Sequence, residues 1–203
     1  MAQKNSKILK LTECSIMLAL SIVLSFVTIY KMPMGGSVTL LSMLPVMLLG
    51  LKYGLGTGVC TAFMFAVFQL AYGFFSGDVF VYCVTPLMVV ICILFDYLVP
   101  YTLLGFTGIF RKACAKREEK KTANYVLILA GFIVIIALRF LCHFITGVSI
   151  WGQFAPEGQT KIAYSLIYNI QYMLPECIIT TIGAAILLKI PPIKKILGTD
   201  KFC

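Results

Sequence analysis

The sequence predicts an all-α integral membrane protein: a bundle of six transmembrane helices with both termini in the cytoplasm. Three observations predict it. The mean hydropathy is +0.97, only 12% of the 203 residues are charged against 60% apolar, and the basic residues fall almost entirely between alternate apolar stretches. Soluble domains carry about a quarter charged residues, so a water-soluble enzyme, a disordered regulator and a secreted disulfide scaffold are excluded. The length suits a single membrane domain over residues 1–203, with no room for a separate soluble module.

Each span follows from length. A hydrocarbon core about 30 Å thick takes roughly 20 helical residues. Apolar stretches run over 11–30, 38–51, 55–75, 79–110, 123–150 and 161–191. The second is short and meets the third at a glycine-rich turn, Gly50–Gly58. The fourth is too long for one straight span, and Pro86 and Pro100 predict a late start or a kink, because proline lacks an N–H and crowds the preceding turn. Irregular or re-entrant pieces fit within the second to fourth stretches. No small-residue cleavage site follows the first stretch, so it is expected to remain as a span.

Charge sets the direction. Of the 17 Lys and Arg residues, all but Lys31, Arg139 and Lys161 fall on one side of a six-span arrangement, which the positive-inside rule assigns to the cytoplasm. Topology therefore accounts for the net charge of +9, and no nucleic-acid partner is expected. The eight Cys residues form no CxxC pair and mostly sit within apolar runs. They read as small buried hydrophobes, not as a disulfide or metal framework.

Ionisable groups at membrane depth mark function or structural pairing. Four stand out: Asp96, Arg139, His143 and Glu176. Arg139 and His143 are four residues apart and share a helix face. Arg139 could neutralise Asp96 or Glu176 as a purely structural pair, but one guanidinium cannot serve every partner. Trp151, the only Trp, is followed by Gln153, Phe154, Tyr164, Tyr168, Asn169, Gln171 and Tyr172. An interfacial belt explains such rings. It does not explain Asn169 and Gln171 within a span, where amides need partners from protein, water or ligand. The pattern predicts an outward-facing pocket with aromatic faces and a few directional groups, suited to a flat, polar, cationic heterocycle. No GxSxG, HExxH or P-loop occurs, and no nucleophile stands beside the single His. Neither catalysis, nor a cofactor, nor a metal site is expected. Transport driven by ATP would need the ATPase on another subunit.

The run RFLCHFITGVSIWGQFA (Arg139–Ala155), followed by YSLIYN (Tyr164–Asn169), is the most specific part of the chain. MPMGGSVTLLSMLP (Met32–Pro45) and FDYLVP (Phe95–Pro100) support it. With these motifs the chain resembles, over essentially its whole length, the thiamine-specific substrate-binding (S) components of energy-coupling factor (ECF) transporters. That resemblance implies a six-helix subunit in a bacterial cell membrane that binds thiamine near the extracellular face. It also implies association with a transmembrane coupling subunit and two cytoplasmic ATPase subunits. The implied site comprises Asp96, Tyr97, His143, Trp151, Tyr164 and Asn169. Trp151 and His143 would stack on the ligand rings, Tyr164 and Asn169 would make polar contacts, and Asp96 would meet the aminopyrimidine or the thiazolium charge.

Two departures stand beside the match: some members carry Glu at the position of Asp96, and some place a Trp where this chain has Gly35 and Gly36. In the first span, Ser15-xxx-Ala19 resembles the small-residue face that S components set against the coupling subunit, since small side chains let helices approach closely. Two other readings use the same residues. One is an S component for a related pyrimidine or vitamin precursor. The other is a stand-alone proton-coupled carrier with Asp96, Arg139, His143 and Glu176 as relay, although no internal inverted symmetry is visible.

Overall fold

The apolar stretches become helices, and the places where they do not become plain helix shape the cavity described below. The computed structural model describes residues 2–33, 35–76 and 80–203, with side chains from Ser6 onward. Met34 of the Met32–Pro45 motif and the expected start of the fourth stretch at residue 79 lie outside the described residues. So does the side chain of Lys4. In chain order the elements are α1 (Ala2–Phe26), β1 (Thr28–Lys31), β2 (Ser37–Thr39), α2 (Leu44–Tyr53), α3 (Leu55–Ser76), the composite rod α4 (Pro86–Ala115), α5 (Lys121–Ser149), α6 (Lys161–Leu187) and the short α7 (Pro191–Leu197). Five of them (α1, α3, α4, α5 and α6) are long and apolar enough to cross a membrane.

The second stretch differs from a full span. At 1.5 Å per residue, the ten residues of α2 rise only about 15 Å, half the hydrocarbon core. What precedes it is a hairpin and not further helix: β1 pairs antiparallel with β2, Thr28 opposite Thr39 and Tyr30 opposite Val38. Its strands are rich in β-branched and aromatic residues, which suit a pleated ribbon better than a helix. The first span consequently ends at Phe26 and not near residue 30.

The long fourth stretch is one rod, rewound in the middle. It begins at Pro86, with Thr85 as cap: Met88 N donates to Thr85 Oγ1 at 3.3 Å. A wide π turn runs over Ile93–Leu98, and a tighter 3₁₀ segment over Leu103–Thr107. Pro100 has no N–H to offer the carbonyl of Asp96, four residues back, so the regular ladder is interrupted where the π turn lies.

Glycine closes the end of the bundle that carries the chain termini. A Cβ on Gly58 would stand 2.5 Å from the carbonyl oxygen of Gly105, and a side chain on Gly105 would overlap the Gly58 backbone in turn. Thr107 Oγ1 donates to Met47 O at 2.6 Å across the same crossing. Here α2, α3 and α4 meet backbone to backbone, the close approach that small residues permit in lipid. Nearby, Asn124 Nδ2 donates to the carbonyls of Arg117 and Phe202, both at 2.8 Å, and holds the C-terminal segment against the bundle. Glu13 of α1 pairs with Lys52 and accepts from Tyr53 Oη at 2.6 Å, joining α1 to α2. All eight cysteines are free thiols.

Alternation of direction places the C-terminal ends of α1, α3 and α5 beside the N-terminal ends of α2, α4 and α6, away from the termini. That is where the helices stand apart.

Candidate functional site

A cavity of about 230 Å³ opens at this end, somewhat below the usual size range of small-molecule sites (~300–1,000 Å³). It is walled by the ends of α1 and α3, the π turn of α4, the last turns of α5, the first half of α6 and the hairpin. All six residues expected from the sequence, Asp96, Tyr97, His143, Trp151, Tyr164 and Asn169, line it. From Tyr164 near the mouth to Glu176 on the floor, α6 rises roughly 18 Å.

Asp96 is the centre of the polar network. Its Oδ1 accepts from Thr146 Oγ1 and lies 3.1 Å from His143 Nδ1, and its Oδ2 accepts from Trp151 Nε1 at 3.3 Å. The π turn matters here. It moves Asp96 and Tyr97 out of ordinary helical phase, so that both reach the cavity from consecutive positions. Tyr97 stacks on Phe80 with ring centres 5.9 Å apart and packs against Gly73, where any side chain would meet the phenol. Trp151 is packed edge-on by Tyr82 at 5.7 Å, and Phe154 tilts against it at 6.4 Å.

Arg139 and His143 share a face of α5, as their spacing predicts, and are 7% and 8% exposed. The guanidinium pairs with neither Asp96 nor Glu176: among the described residues, the ion pairs include none to Arg139. Instead Arg139 Nε donates to His143 Nε2 at 3.3 Å, Nη1 points at Met43 Sδ, and the guanidinium carbon lies 4.3 Å above the Tyr101 ring. Cation–π contact with Tyr101 takes the place of the expected salt bridge.

Asn169 lines the cavity but is largely satisfied from within. Its Nδ2 donates to Ser165 O at 2.8 Å and His143 O at 3.2 Å, and its Oδ1 accepts from Tyr172 Oη at 2.7 Å. The amide therefore ties α5 to α6 and aims Tyr172 as well as presenting an edge to the cavity. Gln171, expected with it, is exposed and does not line the cavity; two residues further along the helix places it on the other face.

Three residues of α6 spaced four apart, Tyr168, Tyr172 and Glu176, hold the hairpin down. Tyr168 Oη donates to Gly35 O at 2.8 Å. The Tyr172 ring fills the space where a Cβ of Gly36 would stand, 2.8 Å from its Cε1, and Gly36 has φ +84°. Glu176 Oε1 accepts from Thr39 N at 2.5 Å and Thr39 Oγ1 at 2.6 Å. Gly36 thus occupies a place that no bulky residue could take with Tyr172 where it is. Sequence reasoning missed Thr39, Tyr101 and Thr146. The last was within reach, since it lies three residues after His143 on the same face.

Comparison with known proteins follows the same direction. Residues 11–195 match the family model described as thiamine transporter protein (Thia_YuaJ). Thiamine transporter ThiT of Bacillus subtilis (strain 168) is 30% identical over 202 residues, 98% of each chain. Thiamine transporter ThiT of Lacticaseibacillus paracasei is 29% identical over 155 residues, 74% of this chain and 72% of that one. A solved structure of ThiT from Listeria monocytogenes superposes with TM-score 0.72 at 22% identity, covering 95% of this chain and 98% of the other, a likeness of fold.

Proposed function

This chain belongs to the thiamine transporter protein family, a family of multi-pass membrane transporters, and from that premise we propose that it is the thiamine-binding S component of an ECF-type, ATP-driven importer. Thiamine would bind in the cavity between α4, α5, α6 and the hairpin. The N- and C-termini would face the cytoplasm, as the distribution of basic residues indicates, so the cavity would open outward. The observation that carries the reading is the convergence of Asp96, Tyr97, His143, Trp151, Tyr164 and Asn169 on one cavity. It combines ring faces for a flat heterocycle with a half-buried carboxylate for its charge.

Transport then requires partners. The chain carries no P-loop, so a transmembrane coupling subunit and two cytoplasmic ATPase subunits would supply coupling and energy. Ser15 and Ala19 lie exposed on the outer face of α1, a surface that would dock the coupling subunit through close helix approach. The shorter reach of Asp96 relative to Glu is met on this reading by the π turn, which advances the carboxylate into the cavity.

The test uses the single Trp. Thiamine titrated into the purified protein should quench Trp151 fluorescence and release heat in calorimetry. Unchanged emission together with no heat at saturating thiamine overturns the assignment. Tighter binding of the isolated pyrimidine moiety than of thiamine would move the ligand to a pyrimidine precursor.

A further inference from the structure

The hydrogen-bonded chain Arg139–His143–Asp96, buried at its first two members and half-buried at the third, fixes more than position. A guanidinium has N–H donors and no acceptor. With Arg139 Nε 3.3 Å from His143 Nε2, that ring nitrogen must present its lone pair. The proton of the neutral imidazole is then on Nδ1, which faces Asp96 Oδ1 at 3.1 Å. We infer that Arg139 is a positioning residue that locks His143 in the neutral Nδ1–H tautomer and thereby leaves the Asp96 carboxylate without an imidazolium counter-ion, free to meet the ligand.

The consequence is electrostatic. A second proton on His143 would have to sit on Nε2, against the Arg139 donor, and would place an imidazolium beside a guanidinium. It would also neutralise Asp96 with an internal cation, in competition with a cationic ligand. Asp96 of α4, Arg139 of α5 and Tyr172 of α6 touch the ring, and Tyr97 and Tyr101 of α4, Glu176 of α6 and Lys31 of the hairpin line the same cavity. Of these, only Arg139 makes a hydrogen bond to Nε2 among the described residues. The lock leaves His143 a ring face and no free polar edge, consistent with a stacking role. Selectivity for a cation over a neutral analogue then rests on an Asp96 carboxylate that no imidazolium beside it compensates.

This inference rests on the thiamine-site reading but is measured separately from it. His143 is the only His, so ¹⁵N-histidine labelling gives a single pair of ring-nitrogen signals in the ligand-free protein. Wild type should show a protonated Nδ1 and an unprotonated Nε2, unchanged from about pH 8 down to about pH 5.5. Two variants separate the hydrogen bond from the charge. In Arg139→Gln the side-chain amide nitrogen stands the same number of bonds from Cα as Arg Nε, so the donor is kept without the charge; the tautomer should persist. Arg139→Met has no donor there; its His143 should titrate, and its thiamine affinity should fall on the order of tenfold across that pH interval while wild type changes little. A proton on Nε2 in wild type, titration of wild-type His143, or Met and Gln variants with the same signature would each overturn the inference. Failure of wild type to bind thiamine would overturn the ligand reading and leave the tautomer result standing. If Arg139→Met does not fold, the wild-type and Gln spectra still decide.

Discussion

At the end that carries the termini, α2, α3 and α4 touch through Gly58 and Gly105, with a threonine hydroxyl bridging to a helix carbonyl. At the other end α3 and α4 join α5, α6 and the hairpin around a gap walled by Tyr, Trp, Asp, Arg and His side chains. The difference lies in side-chain size along each helix. Small residues in the first region remove the space that water or ligand could use, and the backbone approach is itself the cohesion. Large amphipathic residues in the second hold the helices off one another, each polar atom needing a partner that the lipid cannot give. One end is thus a fixed anchor. The other is a cavity whose shape is maintained by a hydrogen-bonded network.

The comparison is broken most severely at the anchor. Gly105→Val would drive two methyl groups into the Gly58 backbone, where no side chain can move aside. The expected loss is about 3 kcal/mol or more, at the upper end for overpacked interiors, read as a fall in melting temperature or loss of the monodisperse peak in detergent. Gly56→Ala, two residues from Gly58 but with nothing within 4 Å of the added Cβ, should leave both unchanged. Equal damage from the two would mean that the crossing is not what holds this end.

The cavity end should respond differently, in binding before stability. Trp151→Ala removes a ring face, and Asn169→Ala removes an amide that is 4% exposed. Each should cost about 1–3 kcal/mol of thiamine binding, roughly 5- to 150-fold in Kd. Asn169→Ala should lower the melting temperature further than Trp151→Ala, because it strands Tyr172 Oη and two carbonyls on the α5–α6 seam. A Trp151→Ala protein that melts as early as the Asn169 variant would show that the mouth is structural after all.

Much of this division was legible in the sequence. Spans follow from hydropathy, because lipid demands long apolar helices. Asp96, His143 and Asn169 are marked by their polarity at depth, Trp151 and Tyr164 by the aromatic run, whereas Tyr97 came only with the family resemblance. What escaped did so for physical reasons. The hairpin was read as span because Thr28, Ile29, Tyr30 and Val38 serve a strand and a membrane helix alike. The π turn at Asp96 needed knowledge of how the backbone accommodates Pro100, and a proline alone announces only that something changes. Asn169 and Gln171 looked equivalent by type, yet two residues on a helix is a change of face. The Glu13–Lys52 pair was missed because its members lie on different helices, and the charge of Lys52 was already explained by topology. Arg139 drew attention as a charge, but that its partners would be an imidazole, a thioether and a phenol ring depended on packing between α2, α4 and α5.

The outer face of α1 belongs to neither region, and it offers the mildest expected change in the isolated protein. Ala19 is exposed on a helix that packs inward through Met17, Leu18 and Ile22. Ala19→Leu adds bulk toward lipid, away from both the glycine crossing and the cavity. Melting temperature and thiamine Kd should therefore stay within about 0.5 kcal/mol of wild type, as for substitutions remote from structural features. Uptake in cells that hold the coupling subunit and ATPases should nevertheless fall, because close approach of a partner helix at Ser15 and Ala19 would be blocked. If uptake persists at the wild-type rate, the coupling subunit docks elsewhere. If binding falls together with uptake, α1 is part of the cavity wall in a way that its exposed face does not suggest.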